Sequence, residues 1–354
     1  MQKIINIRNK ALSSILVIAT LLTSGILFTA CEARVTINVY NWGDYLDTDV
    51  LKAFTKETGI RVRYSTYARN EDMYERIRRG GSGYDVVFPS DHMISKMIEE
   101  DLLEKLNFSN IPNFSNIDEN FIGLMYDPLN EYSVPYMWGT MGILYNTTMV
   151  DEVVDSWDIL WDEKYANQIF MYESMRDIIA VAQIRNGFSV NDRDLDNLHT
   201  VRANLFEQKP LVQAYLDESI KDKMIGREGA LAMVYSGDAL YSMEENDELS
   251  YVVPKEGSIV WYDSMVIPKG SNNKTEAEMF INFLCRPDIA LLNTEYVGYS
   301  TPNAEAFKLL PEDWQDDETY WPSEEIVKRC EVLLDLGDFT KEYDRIWMEV
   351  LATR

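Results

Sequence analysis

The sequence predicts an α/β protein of two lobes, each built on a central mixed sheet flanked by helices, with a ligand cleft between them. Three observations predict it. Strand-like and helix-like runs alternate from Val35 to Glu100, a second alternating series runs from Gln168 past Tyr235, and two long extended stretches, Tyr132–Asn146 and Val252–Lys269, bracket that second series. A chain that crosses twice between two units leaves a cleft, with the crossings as its hinge. At 354 residues, 46% hydrophobic and 12% aromatic, the chain is long enough to bury a core on each side.

In chain order, Val35–Tyr40 alternates like a first strand and runs into Asn41-Trp42-Gly43-Asp44-Tyr45. Asp47 or Thr48 caps a helix over Asp49–Thr58, which Gly59 stops. Ile60–Ser65 is the second strand and Asn70–Arg79 the second helix, ended by Gly80-Gly81. Tyr84–Pro89 is a third strand that leads to Ser90-Asp91-His92 and a helix over Met93–Glu100. Ligands on such sheets gather at the carboxyl ends of the strands, where Trp42–Tyr45 and Ser90–His92 fall.

After the crossing at Tyr132–Asn146, Gln168–Tyr172 is a strand that delivers Glu173, Ser174 and Asp177 to a helix N-terminus. Asp192–Phe206 and Leu211–Asp222 read as helices, and Ala230–Tyr235 as a strand with Ser236-Gly237-Asp238 at its end. Thr275–Leu284 is helical, Tyr296–Pro302 a turn-rich loop, and Ser323–Leu334 and Lys341–Ala352 terminal helices. The division expected is a leader over residues 1–30, one lobe from 31–138 with 262–312, and the other from 139–261 with 313–354.

Charge narrows the function. The formal net charge is -26, with 33 Lys and Arg against 59 Asp and Glu, which excludes nucleic acid as a partner and favours the approach of cations. Lys3, Arg8 and Lys10 precede an uncharged apolar run, Ala11–Ala30, and Cys31 follows at once. This is the pattern of a secretory signal ending in a lipobox, with Cys31 the lipidated first residue of the exported chain, although Phe28 stands where leucine is commoner. The run is also long enough to span a membrane, and the placed cysteine favours the anchor. Cys285 and Cys330 are too few for a disulfide framework.

Common catalytic patterns are missing: there is no G-x-S-x-G, H-E-x-x-H, C-x-x-C or P-loop sequence. Asp192-Arg193-Asp194-Leu195-Asp196 opens like a calcium loop, but Asn197 replaces the required glycine and Ala203 the closing glutamate, so it reads as a helix start. No cofactor or metal is expected. What the chain offers instead is rings beside acids. In the second crossing, Trp261 and Asp263 share one face if the segment is extended, which suits an organic cation. A core tryptophan with a solvated aspartate fits the same spacing. Trp42, Asp44 and Tyr45, Asp91 with His92, Glu173 with Asp177, Tyr235 with Asp238, and Tyr299 on the late loop supply further groups at strand ends or crossings. Together they describe a slot that boxes an aliphatic chain between rings and ties its ammonium groups with carboxylates.

Seven segments in order then resemble the spermidine/putrescine-binding (PotD-like) family of ABC importers, receptors of the type II periplasmic-binding-protein fold. They are YNWGDYLD (Tyr40–Asp47), FTKETGIRVRYSTY (Phe54–Tyr67), YDVVFPSDHMISKM (Tyr84–Met97), YSVPYMWGT (Tyr132–Thr140), VVPKEGSIVWYDSMVIPK (Val252–Lys269), INFLCRPDIA (Ile281–Ala290) and GYSTPN (Gly298–Asn303). The resemblance implies an exported, lipid-anchored monomer that binds a polyamine, is not an enzyme, and presents its cargo to a membrane permease. It implies that Trp261 packs on the polyamine methylenes and that Asp263 holds an inner amine. Trp42, Gly43, Asp44, Tyr45, Ser90 and Tyr299 match site positions of the family. His92 stands where tyrosine is frequent, Ser174 and Asp177 where terminal-amine carboxylates occur with Glu173 beside them, and Tyr235 where tryptophan occurs. Leu333 falls where some members carry a site glutamine. A receptor for a neutral sugar or peptide, and a cleft hydrolase built on paired carboxylates, are the alternatives.

Overall fold

The computed structural model describes residues 35–80 and 83–353, so the leader, Cys31 and Gly81 lie outside the described residues. Among the described residues, nine strands form one continuous mixed sheet: β1 (Thr36–Trp42), β2 (Arg61–Tyr67), β3 (Val86–Val87), β4 (Ser133–Asn146), β5 (Ile169–Tyr172), β6 (Val212–Leu216), β7 (Leu231–Tyr235), β8 (Leu249–Val252) and β9 (Val260–Val266). Their order is β2-β1-β3-β9-β4-β7-β5-β6, with β8 beside β4. β1 is parallel to β2 and β3, and β5 is parallel to β6 and β7.

The fourteen-residue β4 joins the halves. Its first part, Ser133–Thr140, pairs antiparallel with β9, while Met141–Asn146 pairs with β7 on one edge and β8 on the other. All but one of its residues are buried, as a strand covered on both faces must be. One apolar cluster lies on the β9 side, with Ile37, Val39, Phe54, Phe88, Val134, Val266 and Phe280 at its centre. A second, around Met141, Trp157, Ile169, Ile179, Leu205, Met233 and Tyr343, and a smaller third on the other sheet face serve the β7 side. Along β7 the alternation sorts them: Leu231 and Met233 enter one cluster, Ala232 and Val234 the other.

The helices are α1 (Thr48–Thr58), α2 (Asn70–Arg78), α3 (Asp91–Glu99), α4 (Met175–Arg185), α5 (Leu195–Gln208), α6 (Ile220–Ile225), α7 (Ser236–Glu245), α8 (Lys274–Leu284) and α9 (Pro287–Val297). Three short ones follow, α10 (Ala304–Phe307), α11 (Glu312–Gln315) and α12 (Glu324–Lys328), before α13 (Thr340–Ala352). The start and stop of α1 follow the sequence signals. Asp47 accepts the Asp49 N–H, and Gly59 closes the helix at φ 76° with its N–H on Thr55 O. Asp194 caps α5 by accepting the N–H groups of Asp196 and Asn197, so the acidic turn is a helix start.

Several expectations need correction. The helix expected over Leu211–Asp222 is instead the edge strand β6 followed by the short α6; Pro210 lies within the turn Lys209–Leu211 that precedes β6, and pairing with β5 outweighs the helical composition. Of the extended stretch expected over Val252–Lys269, the strand β9 takes only Val260–Val266, held by β4 along its length. Only Glu324–Lys328 of the helix expected over Ser323–Leu334 forms, because Glu331 leaves to pair with Ile259.

Candidate functional site

The crossing strand β9 carries Asp263 into the interior, 5% exposed. Two carboxyl-end loops of the first sheet supply its partners. Tyr45, just past β1, donates its hydroxyl to Asp263 Oδ2 at 2.8 Å, and Ser90, just past β3, donates to Oδ1 at 2.6 Å. Asn70 Nδ2 in turn donates to Ser90 Oγ at 3.1 Å, which fixes the serine. Burial pushes the Asp263 carboxyl up to about 7, while the Ser90 and Tyr45 hydroxyls oppose it, nearby Asp91 adds to it and His92 offsets it.

The other lobe repeats the arrangement. Asp177, 4% exposed, lies in the first turn of α4, where the helix dipole favours an anion. Tyr235, at the carboxyl end of β7, donates its hydroxyl to Asp177 Oδ2 at 2.6 Å. Burial raises this carboxyl also, against the hydroxyls of Tyr235 and Ser174 and the charges of His92 and Arg176. Each of the two aspartates is therefore buried, one per lobe, and each is hydrogen-bonded by neutral hydroxyls, with no lysine or arginine ion-paired to it among the described residues. Buried carboxylates left in this state favour a cation from outside.

A run of rings joins them. Tyr45 meets Tyr299 at 5.8 Å between centroids, Tyr299 meets Trp261 at 5.0 Å, and Trp261 meets Tyr235 at 5.9 Å, all edge to face. Two glycines make room for them. A Cβ at Gly139 of β4 would lie 2.6 Å from Trp261 Cζ2, and one at Gly237 would come closer than 3.0 Å to three atoms of the Tyr299 ring.

Comparison with known proteins now identifies the chain's relatives. Residues 49–321 match the family model described as bacterial extracellular solute-binding protein. The chain belongs to that family.

Among relatives of this solute-binding protein, the spermidine/putrescine-binding periplasmic protein of Salmonella typhimurium is 36% identical over 321 residues, covering 90% of this chain and 92% of the relative. The putrescine-binding periplasmic protein SpuD of Pseudomonas aeruginosa is 31% identical, covering 89% and 91%. A solved spermidine/putrescine ABC transporter substrate-binding protein, PotD of Streptococcus pneumoniae, is 41% identical with a TM-score of 0.82, covering 90% of this chain and 98% of its own. The two-lobed α/β fold expected from the sequence is thus the fold of the family.

The solute-binding protein places its other expected site residues differently from one another. Trp42 is half-buried, with its indole N–H on Phe88 O at 2.8 Å and its ring against Tyr67; Gly43 and Asp44 beside it are exposed. Asp91, 1% exposed, accepts the backbone N–H of His92 at 2.6 Å and of Tyr262 at 3.1 Å, so its carboxylate pins α3 to β9. His92 lies with Nδ1 3.3 Å from Asp91 Oδ1. Glu173 is exposed and Ser174 precedes α4. Asp238 is buried and meets Lys221 Nζ at 3.2 Å. Leu333 is buried in an apolar cluster, and Cys285 and Cys330 are both free. Sequence reasoning gave no role to Gly139, Gly237 or Lys221; the glycines stood inside chosen segments without being singled out, and nothing near Lys221 marked it.

Proposed function

We propose that this chain is the substrate-binding component of an ABC importer that closes two lobes on a linear polyamine and delivers it to a membrane permease. The observation that carries this reading is the string Asp263–Tyr45–Tyr299–Trp261–Tyr235–Asp177: two buried acids with no lysine or arginine ion-paired to them among the described residues, joined by ring faces and edges. Ammonium groups answer the acids by charge-assisted hydrogen bonds, and the rings cover the methylenes between them. The names of the relatives support the same ligand class. Trp42, Gly43, Asp44, Ser90, His92, Glu173 and Ser174 would line the rim, with Asp91 and Asp238 holding the frame behind it.

The lobes would divide at β4 and β9, with 31–138 and 262–312 on one side and 139–261 and 313–354 on the other. The receptor would work as a monomer outside the cytoplasm, tethered through a lipid on Cys31. It would bind without turning over. Isothermal calorimetry with putrescine, spermidine and maltose tests the reading: heat with the amines alone supports it, and binding of maltose alone sinks it. Mass spectrometry of the ligand after incubation checks that it is returned unchanged.

A further inference from the structure

We propose that Lys221 is a built-in ammonium that occupies a third buried carboxylate at the cleft, Asp238, and so makes this receptor select diamines over triamines. The inference rests on the polyamine reading above.

Asp238 is in the first turn of α7, one residue beyond Gly237, whose Cα carries the Tyr299 ring. Its charge is felt by the phenols of Tyr299 and Tyr172, and Tyr172 packs on Tyr235 at 4.8 Å. It therefore adjoins the ring string at the end where Tyr235 and Asp177 stand. Unlike Asp177 and Asp263 it is not left to neutral donors. Lys221, from α6, brings Nζ to 3.2 Å from Oδ1, with the Tyr241 ring 5.4 Å from the same nitrogen. The lysine is itself mostly covered, its side chain 28% exposed.

Counting charges gives the selectivity. Two buried carboxylates are free to meet two ammonium groups, which is what a diamine brings. A triamine brings a third; Asp91, the buried acid beside Asp263, has its oxygens on the backbone N–H groups of His92 and Tyr262, and Asp238 at the other end already has its cation. That ammonium must displace Lys221 or settle for exposed carboxylates such as Glu173 and Glu218. Exposed pairs are screened by water and salt and contribute little, whereas stripping water from the extra charge is costly. Differential affinity for the two ligands then comes from a contact denied to one of them.

The experiment is calorimetry of the full chain with putrescine and with spermidine, paired with thermal-shift readings so that a destabilised variant is still measured. The natural protein is expected to bind putrescine the more tightly. Lys221→Gln should raise the spermidine-to-putrescine ratio of association constants about tenfold, as expected for one added charge-assisted contact. Lys221→Gln combined with Asp238→Asn should return the ratio to its starting value, and Lys221→Arg should leave it there. A natural protein that prefers spermidine, or a Lys221→Gln ratio that does not move while both amines still bind, overturns the inference and leaves the polyamine reading standing. Failure of the natural protein to bind either amine overturns both.

Discussion

Gly237 lies so close beneath the ring of Tyr299 that no side chain fits between them. Gly237 opens α7, and Tyr299 follows α9 on the side of Tyr45. On the two-lobed division proposed above, their contact would bridge the cleft and closure would depend on that bare Cα.

Gly237→Ala is therefore expected to weaken putrescine binding about tenfold or more, a loss of about 1.4 kcal/mol. Alanine is itself the better helix former, so a melting temperature read alongside separates lost binding from a fold strained by the Tyr299 contact. Calorimetry and X-ray scattering with and without ligand check this; undiminished affinity with normal compaction would remove the closure role from Gly237.

Asp263→Asn should act in opposite directions on binding and stability. Binding loses a charge-assisted contact and weakens by about 2 kcal/mol or more. The empty protein loses a buried carboxylate that has only hydroxyl partners, so its melting temperature at pH 8 should rise. If melting at pH 8 falls instead, the carboxylate is not the strained group described here.

Acidity gives a third expectation. An ordinary aspartate in the unfolded chain titrates near 4, whereas Asp263 is raised to about 7 in the fold. Between those values the folded protein holds a proton that the unfolded chain has released, so the stability of the empty receptor falls as pH rises from about 4 to about 7. An ammonium ligand needs the ionised form, and its affinity rises over the same approach to 7, with a proton released on binding. Titrations at pH 6.5 in phosphate and in Tris should give different apparent heats, and Asp263→Asn should shrink the difference; equal heats in both buffers for the natural protein contradict the assignment.

The proposed membrane tether has a direct check. Cys31→Ser should move the exported protein from the membrane fraction to the soluble one without changing its putrescine affinity. Retention in the membrane fraction would point to an uncleaved apolar run as the anchor.

Much of the site was legible because it depends on local periodicity. Trp261 and Asp263 are two apart on a strand, and Tyr45 and Ser90 follow strands whose carboxyl ends must converge. What was not legible depends on tertiary packing. β6 was misread as helix because an edge strand beside β5 is chosen by its neighbour rather than its composition, and with it went the position of α6 and hence of Lys221. Asp91 was read as a site acid, and no local pattern showed that its Oδ2 accepts the backbone N–H of Tyr262, 171 residues away in sequence. The ring spacing allowed by Gly139 and Gly237 needed coordinates to be seen.

The fourteen residues of β4 also say what cannot be done with this chain. Severing it between Thr140 and Met141 would not release two finished halves, since the break passes through a hydrogen-bonded ribbon rather than a tether. Each fragment would carry a raw strand edge lined with apolar side chains, the kind of surface that recruits further copies of itself. Continuity through β4 is bought at the cost of the halves' independence.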